Sequence, residues 1–370
     1  MLQERLKALR AEMEKRGITV YVVPTADFHE SEYVGDHFKA RKFITGFTGS
    51  AGTAVITLDE AGLWTDGRYF VQAENQLKDS TVTLYRMGEE GVPTVDEFVK
   101  DRLKEGGCLG FDGRVVNGTW GGKLEKIAAE KNVSMHVTED LIDLIWEDRP
   151  ALSKQPLFIL EEKYSGKSTA DKIADLRKAM KENGADVHIL TSLYDIAWLL
   201  NIRGNDIDYV PVVLSYLVLN ETECIWFLQE EVVDDKIRAY LEENHITTKP
   251  YDAIYDYVPE IPADAVVLMN RGTVNYRIVN SLDKAIKVVD KPNPTELMKA
   301  VKNKTEVDNT RAAHVKDGVA FTKFMYWLKT NIGKIPMTEI SASDYLEARR
   351  REQDNFIELS LIHISEPTRR

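Results

Sequence analysis

The residues best suited to chemistry lie in two neighbouring stretches, GFTGSAGT (Gly46 to Thr53) and LWTDGRYF (Leu63 to Phe70). The first has the composition of a loop, and the second ends on an arginine between glycine and an aromatic residue. A planar guanidinium suits a peptide carbonyl or a carboxylate, to which it donates forked hydrogen bonds. Gly67 permits a positive φ or a close backbone approach, which would aim Arg68 outward. Arg68 is therefore a candidate substrate-binding residue, and the alternative is a structural ion pair with Asp66 or another acid.

Histidines near acidic residues raise the possibility of a metal site. His29 and His37 lie among four acids, Asp27, Glu30, Glu32 and Asp36, whose spacing is not that of a known ligand set. This pattern favours a solvated surface segment. His136, His188 and His245 are isolated, and His314 could approach a site from a later helix. We predict that His188 is an ordinary strand or core residue.

Nucleophilic and phosphate-binding chemistry find little support. Ser50 lies in the glycine-rich loop, but no histidine and acid are placed in the sequence to activate it. The loop also lacks the Gly-Lys-Ser/Thr ending of a phosphate-binding loop. No residue of the chain is therefore assigned as a catalytic group or as a metal ligand.

Composition excludes several classes of protein. The 370 residues carry a net charge of −12, which argues against nucleic acid as a partner because phosphate binding needs clustered lysine and arginine. Cys108 and Cys224 are the only cysteines, so no disulfide framework or thiolate zinc site is indicated and a reducing cytoplasm fits best. The N-terminus lacks the apolar region of a signal peptide. The longest apolar stretch, Val210 to Leu219, is too short to span a membrane and is predicted to be a buried strand.

The elements that would position the glycine-rich loop occur twice. A helix with one apolar stripe, a glycine that ends it and a buried strand come first. The same order returns 167 residues later, which is the separation of Leu9 from Leu176 and of Gly17 from Gly184. The first copy has Leu2, Leu6, Leu9, Met13, Gly17 and Val20–Val23; the second has Ile173, Leu176, Met180, Gly184 and Val187–Leu190. The sequence therefore predicts two homologous α/β domains with mixed sheets and flanking helices.

Each copy continues with a predicted short helix, FHESEYV or YDIAWLL, then a glycine-containing loop and a β hairpin. The hairpins run from TAVIT to LWT and from VVLSYLVL to CIWF. Only the first hairpin ends in Asp-Gly-Arg-aromatic, whereas the second ends in CIWFLQEE. The fold therefore does not require Arg68.

Prolines and polar residues mark the domain boundaries. We predict a first domain over 1–150, a linker at 147–156 and a second domain over 157–292. Two helices, one with the apolar residues from Ala312 to Leu328 and one from about Thr338 to Arg351, would open a third domain over 304–358. Lacking a sheet to cover, the first helix is expected to expose an apolar face that favours aggregation or disorder. The last twelve residues, 359–370, match a reading frame of a transposon-end sequencing adapter and are interpreted as an assembly artefact.

Seven separated motifs make the chain resemble the cytosolic Xaa-Pro aminopeptidases, or aminopeptidase P, of the peptidase M24 and creatinase superfamily. They are VVPTADFHESEYV, FITGFTGSAGTAVIT, LWTDGRYF, LIWEDRP, DIAWLLNIRG, LMKAVKN and MTEISASDYLEARRRE, and the resemblance reaches from Met1 to about Ser360. It implies two creatinase-like N-terminal domains followed by a "pita-bread" α+β domain. It also implies removal of an N-terminal residue that precedes proline, with Arg68 matching the family's substrate-facing arginine.

The resemblance further implies two divalent metal ions, typically manganese, held by two aspartates, a histidine and two glutamates. None of those ligands can be matched to a residue here, so the chain by itself is expected to bind no metal pair and to be inactive. The resemblance also implies that the protein is a homodimer in the cytoplasm and that its substrate is a peptide with proline in second position. Neither nucleic acid nor a membrane is an expected partner.

Two other functions remain open. The first is a non-catalytic peptide-binding or dimerisation module of peptidase-like ancestry, against which the retained Arg68 argues. The second is another hydrolase of the superfamily, a creatinase or a prolidase. Those proteins usually have a single N-terminal domain, so the internal duplication disfavours them.

Overall fold

The structure, a computed structural model, describes residues 2–360. Its first helix, α1 (Leu2–Lys15), buries Leu6, Leu9 and Met13, as the spacing of its apolar residues predicts. Of the twelve residues interpreted as an artefact, 361–370 lie outside the described residues.

The first domain is one mixed sheet with helices around it. Its strands are β1 (Val20–Pro24), β2 (Thr53–Thr57), β3 (Ala61–Thr65), β4 (Thr83–Arg86), β5 (Cys108–Phe111) and β6 (Ser134–His136). Its further helices are α2 (Ala40–Thr45), α3 (Phe70–Leu77), α4 (Val95–Arg102) and α5 (Gly118–Glu130). The strand order is β4-β3-β2-β1-β5-β6. Strand β2 runs antiparallel to both its neighbours, and the other pairs are parallel.

The second domain repeats this plan. Its elements are β7 (Phe158–Ile159), α6 (Glu162–Ser165), α7 (Thr169–Glu182), β8 (Val187–Leu190), α8 (Leu193–Leu200), β9 (Ile202–Arg203), β10 (Ser215–Asn220), β11 (Cys224–Leu228), α9 (Asp235–Glu243), β12 (Thr247–Pro250), α10 (Ile254–Tyr257), β13 (Val266–Met269), α11 (Tyr276–Ser281) and β14 (Lys287–Asp290). The order β12-β11-β10-β8-β13-β14 has the same parallel and antiparallel pairs as the first sheet. The predicted duplication is therefore confirmed.

Two local predictions are wrong. The segment FHESEYV is not helical, because the Asp27 carboxylate accepts the backbone N–H groups of His29 and Ser31, each at 2.9 Å, and holds a turn instead. The buried strand predicted from Val210 begins only at Ser215. Val212, Val213 and Leu214 before it are buried, but the N–H of Leu214 donates to the Asp206 carboxylate rather than to a strand.

The two domains pack through equivalent elements. Asn117 and Asn275, which cap α5 and α11, form an antiparallel bridge across the boundary. Helix α5 meets α11 closely at Gly121, where an added Cβ would lie only 2.8 Å from the Cβ of Tyr276. Glycine is required at this position because a side chain would overlap its neighbour.

Three helices follow the second domain, α12 (Pro294–Ala300), α13 (Lys304–Asn331) and α14 (Glu339–Arg351). The last two pack together through stacked rings of Trp327 and Tyr345, 4.0 Å apart, and an ion pair of Arg350 with Asp317. Helix α13 exposes large apolar residues, including Val315, Val319, Phe321 and Tyr326. Among residues 2–360, no helix combines the length and the apolar character needed to cross a bilayer.

Candidate functional site

The glycine-rich loop between α2 and β2 is shaped by close packing. A Cβ at Gly49 would lie 2.8 Å from the ring of Tyr69, and one at Gly52 would lie 2.8 Å from the carbonyl oxygen of Trp64. Real Cβ atoms do not approach other atoms so closely, so both positions need glycine. The glycines of this loop therefore let the backbone pass between the aromatic side chains and β3.

The side chain of Arg41 holds the loop in place. Its guanidinium is buried and donates to the Thr25 hydroxyl at 2.9 Å, to the carbonyl of Phe47 at 2.5 Å and to the carbonyl of Gly49. It also lies 4.7 Å from the centre of the Phe47 ring. Burial lowers the pKa of Arg41 to about 10. The loop is thus fixed by the Arg41 guanidinium, which donates hydrogen bonds to backbone carbonyls. The sequence around Arg41, ARKFITGF, does not indicate this role.

Hydroxyl and amide groups fasten the loop to the segment that follows β3. The hydroxyls of Ser50 and Tyr69 lie 2.7 Å apart, and Thr65 donates to the Ala51 carbonyl at 2.7 Å. The backbone N–H of Thr48 donates to the side chain of Gln76 on α3 at 2.8 Å. Ser50 therefore bonds a tyrosine and not a histidine, and its position favours bracing over nucleophilic chemistry.

Arg68 lies at the rim of this braced segment, between β3 and α3. Its side chain is 57% exposed and forms a bidentate pair with Asp66, with Nε–Oδ1 and Nη2–Oδ2 distances of 2.9 Å. Hydrogen bonding to Arg68 lowers the pKa of the Asp66 carboxyl. The guanidinium also lies 5.2 Å from the centre of the Tyr69 ring. The ion pair with Asp66 that was the structural alternative for Arg68 is therefore present, although the guanidinium stays accessible.

The reason given for Gly67 is wrong. Gly67 is not among the residues with positive φ, and a Cβ there would meet only the Phe70 ring at an ordinary 3.8 Å. The direction of Arg68 therefore comes from the Asp66 pair and the turn, and not from a special glycine conformation.

The loop forms one wall of a cleft between the two domains. The cleft has a volume of about 520 Å³, and its lining includes Arg41, Ser50, His37, Pro150 and Asp206. Asp206, on the second-domain side, accepts the backbone N–H groups of Leu214 and Gln155 at 2.8 and 3.2 Å. Burial raises the pKa of Asp206. Charged groups of opposite sign thus brace the two walls of the cleft.

His29 is a domain-junction residue and not the solvated surface group that its acidic neighbours predicted. It is 2% exposed, with Nδ1 3.0 Å from the Thr191 carbonyl and Nε2 2.6 Å from the Tyr251 hydroxyl. Burial lowers the pKa of His29 to about 4, although Asp27 opposes this. His29 is therefore neutral near pH 7 and joins the first domain to the second by hydrogen bonds.

A tyrosine cluster of the second domain continues from His29. The hydroxyls of Tyr216 and Tyr255 lie 2.9 Å apart, and the Asn275 amide donates to the Phe28 carbonyl at 3.1 Å and to Tyr255 at 3.3 Å. Burial raises the pKa values of Tyr216 and Tyr251 well above the ordinary range. Sequence reasoning missed this cluster, because its members are far apart along the chain.

Four further histidines have structural partners. His37 contacts the Pro150 carbonyl at 2.8 Å, His188 is buried in β8 against the Leu268 carbonyl, and His136 pairs with Glu139 at 3.2 Å. His314 is exposed on α13 and contacts Thr310 of its own helix. Within the described part of the chain, no group of three or more His, Cys, Asp or Glu side chains could hold a metal ion.

Two family profiles divide the chain at the linker. The Creatinase/Prolidase N-terminal domain profile matches residues 5–145, and a second profile of the same description matches residues 148–306. Together with the repeated sheet order, these matches define a protein with two creatinase/prolidase N-terminal domains in tandem.

Relatives narrow the identification. The chain is 38% identical, over 98% of its length, to a probable Xaa-Pro aminopeptidase P of Sordaria macrospora, and 39% identical to one of Laccaria bicolor. It superposes with a TM-score of 0.91 and 31% identity, over 98% of its length, on the X-prolyl aminopeptidase of Caenorhabditis elegans, described as a cytosolic enzyme with a di-nuclear active site. The chain therefore carries two domains of the Creatinase/Prolidase N-terminal family and is similar over almost its whole length to Xaa-Pro aminopeptidases. It spans 61%, 57% and 61% of those three proteins.

A di-nuclear metal centre does not fit the described residues. Two acids close to the loop in sequence or space already serve other groups, since Asp66 pairs with Arg68 and Asp206 accepts backbone N–H groups. A metal pair would need a cluster of ligands that residues 2–360 do not offer.

Proposed function

We propose that this chain is the N-terminal portion of a metallo-aminopeptidase that removes the N-terminal residue from peptides with proline in second position, and that Arg68 binds the peptide. One observation carries the proposal. The braced loop and the accessible guanidinium occur in the first domain, and the duplicated second domain has no counterpart of Asp66, Gly67 and Arg68. A feature that the fold can omit is better explained by binding than by stability.

The chemistry of the substrate agrees with a guanidinium. A peptide bond before proline has no N–H group, so carbonyl oxygens and charged termini are the groups left for recognition. Arg68 offers N–H donors in a planar fork that suits these acceptors. An exposed ion pair contributes about 0–1 kcal/mol, so a substrate carbonyl can compete with Asp66 at small cost.

The described residues would bind and orient the peptide, and the bond would be cleaved elsewhere. The proposal includes two divalent metal ions, of which manganese is the favoured identity, with all ligands outside residues 2–360. The chain alone is then inactive. The full-length enzyme would be a homodimer located in the cytoplasm.

A chimera tests the role of Arg68. The chain would replace the matching segment of the C. elegans enzyme, and release of the N-terminal residue from an Xaa-Pro peptide would be measured with manganese present. We expect Arg68→Gln to lower kcat/KM at least tenfold, which corresponds to about 1.4 kcal/mol of transition-state stabilisation. Arg68→Lys should recover only part of this loss, because lysine lacks the fork.

The matched control is Arg86→Gln. Arg86 is another exposed arginine of the same sheet, paired with Glu74 and Glu89, and its loss should leave kcat/KM unchanged. A folded chimera that cleaves no Xaa-Pro peptide contradicts the proposed function. Equal activity of the Arg68 and Arg86 variants contradicts only the role of Arg68, and turnover by the 370-residue chain alone contradicts its assignment as an inactive portion.

A further inference from the structure

A second pocket lies on the second domain, and Tyr209 lines both this pocket and the cleft described above. Its volume is about 480 Å³, within the usual range for small-ligand sites. It is bounded by α8, by β9, by the loop 209–212, by the connection between α12 and α13 and by Ser360, which belongs to the segment interpreted as an artefact.

Arg203 contributes an uncommitted guanidinium edge to this pocket. Its Nη1 group donates to the carbonyls of Ala197 and Ile202. Among residues 2–360, Nε and Nη2 have no hydrogen-bond partner, and no carboxylate lies within 4.0 Å of Arg203. Nε and Nη2 form the edge of an arginine that binds a carboxylate through two parallel hydrogen bonds.

The surroundings carry more positive than negative charge. Lys302 lines the pocket, and the buried Lys172 lies behind it, donating to Trp198 and Asn201. Burial, followed by repulsion from Arg203, lowers the pKa of Lys172 to about 8. Lys299 is neutralised by the buried Asp195 at 2.6 Å, which leaves Glu306 as the acid of the lining. A cationic pocket in a chain of net charge −12 calls for an anion.

The rest of the wall suits an apolar group. Tyr194, Trp198, Val210, Pro211 and Val212 line the pocket beside the cations. The indole N–H of Trp198 is buried and has no hydrogen-bond partner among the described residues. The pocket therefore combines aromatic surface with the open edge of the Arg203 guanidinium.

A purely structural role for the cations accounts for part of this arrangement. Arg203 and Lys172 donate to the carbonyls of Ala197 and Trp198, in the last turn of α8, where cations are favoured by the helix dipole. That role uses a single nitrogen of the guanidinium. It explains neither the open edge of Arg203 nor the added charge of Lys302.

We propose that this pocket is a binding site for the C-terminal carboxylate of a peptide whose last side chain is apolar or aromatic. Arg203 holds the carboxylate by its Nε–Nη2 edge, Lys302 adds a second positive charge, and the side chain packs on Trp198. The site does not depend on the proposed aminopeptidase activity or on Arg68.

The test compares an acid with its amide. N-acetyl-Ala-Phe and N-acetyl-Ala-Phe-amide would be titrated into the 370-residue chain by calorimetry, with the Trp198 indole followed by ¹⁵N NMR and assigned with Trp198→Phe. Neither probe has a free amine, so an aminopeptidase site that reads the N-terminus does not contribute. We expect the acid to bind at least tenfold more tightly than the amide and to shift the Trp198 indole signal.

Variants locate the binding. Arg203→Lys keeps the charge near the end of α8 but removes the fork, and it should weaken binding of the acid at least tenfold. Lys302→Gln should weaken it severalfold, whereas Lys334→Gln, a change of an exposed lysine elsewhere, should have no effect. Equal affinity for acid and amide, no saturation by 10 mM acid, or an unchanged affinity in a folded Arg203→Lys variant would each overturn the proposal.

Discussion

The two domains share a strand order but brace their central loops in opposite ways. In the first domain, Arg41 donates hydrogen bonds to the carbonyls of Phe47 and Gly49. In the second, Asp206 accepts hydrogen bonds from the backbone N–H groups of Leu214 and Gln155. A cation and an anion thus solve the same problem, since a loop buried between elements must have its backbone polar groups satisfied. The common fold therefore requires a side chain that satisfies the backbone groups of this loop, but that side chain can be a cation or an anion.

The hairpins diverge at their ends as well. The first leads into the turn that presents Arg68, whereas the second leads into a 3₁₀ turn at Glu230–Val232. At the junction between the domains, by contrast, the two copies make equivalent backbone hydrogen bonds. The N–H of Gly118 donates to the Val274 carbonyl at 2.8 Å, and the N–H of Tyr276 donates to the Val116 carbonyl at 2.7 Å. The two copies are therefore alike where they meet and differ where one of them carries an exposed arginine.

The largest expected effect tests the two braces against each other. Arg41→Met removes three hydrogen bonds and leaves two buried carbonyls unsatisfied, so we expect a loss of about 3 kcal/mol in the free energy of unfolding. Asp206→Leu should cost about 2 kcal/mol through the two amides it deprives of an acceptor. Urea unfolding measures both losses.

Hydrogen exchange assigns each loss to its domain. Amides of 46–53 should lose protection in Arg41→Met and not in Asp206→Leu, and amides of 205–214 should respond in the reverse manner. Equal loss of protection in both loops for either variant would show that the braces are not local.

The junction should respond to pH through His29. Its folded pKa of about 4 lies below the ordinary 6.5, so the folded state disfavours the proton that the unfolded chain binds. The contribution of His29 to stability is therefore complete above pH 6.5 and is lost as the pH falls from 6.5 to 4, by up to about 3 kcal/mol. Urea unfolding at pH 7.5, 5.5 and 4.5 measures it, with His29→Gln as the reference. A parent and variant whose stabilities fall in parallel would contradict this assignment.

Adjacent glycines sharpen the comparison at the helix pair that joins the domains. Gly121→Ala places a Cβ against Tyr276 and should cost about 2 kcal/mol through overpacking. Its neighbour Gly122 has no other atom within 4 Å of an added Cβ, so Gly122→Ala should stabilise the helix by about 0.5–1 kcal/mol. Thermal and urea unfolding of the two variants should thus move in opposite directions. Two equal shifts would mean that the helices separate easily.

The smallest expected effect concerns Gly67. Gly67→Ala should change the free energy of unfolding by less than about 0.5 kcal/mol, because neither the backbone nor the space at this position requires glycine. In the chimera, kcat/KM should also stay within twofold of the parent. A large loss of activity without a loss of stability would restore a role for Gly67 in directing Arg68.

Local patterns predicted much of this architecture because they depend on near neighbours. The stripe of Leu6, Leu9 and Met13 predicted α1, and the spacing of Ile173, Leu176 and Met180 predicted its counterpart, since one helical face must be buried. The segment FHESEYV failed for an equally local reason. The Asp27 side chain competes for backbone N–H groups and converts an apparent helix into turns.

The sequence predicted only those parts of the candidate site that are close together along the chain. Loop 46–53 and Arg68 lie within a short stretch, so their association was visible, and the missing counterpart in the second copy pointed to a role beyond folding. Arg41 was missed because an arginine between apolar residues gives no sign of which carbonyls it will meet. His29 was misassigned because its partners, Thr191 and Tyr251, belong to the other domain.

The sequence by itself determined the duplication, the first helix and buried strand of each copy, and the presence of one unduplicated arginine. These follow from periodicity and from comparison of the copies, which need no knowledge of distant contacts. Only the tertiary structure decided that His29 is buried and neutral, that Arg41 and Asp206 brace facing walls of a cleft, and that Arg203 presents an open edge to a cationic pocket. Burial and charge balance depend on groups brought together from remote parts of the chain, and the packing of the two domains sets both.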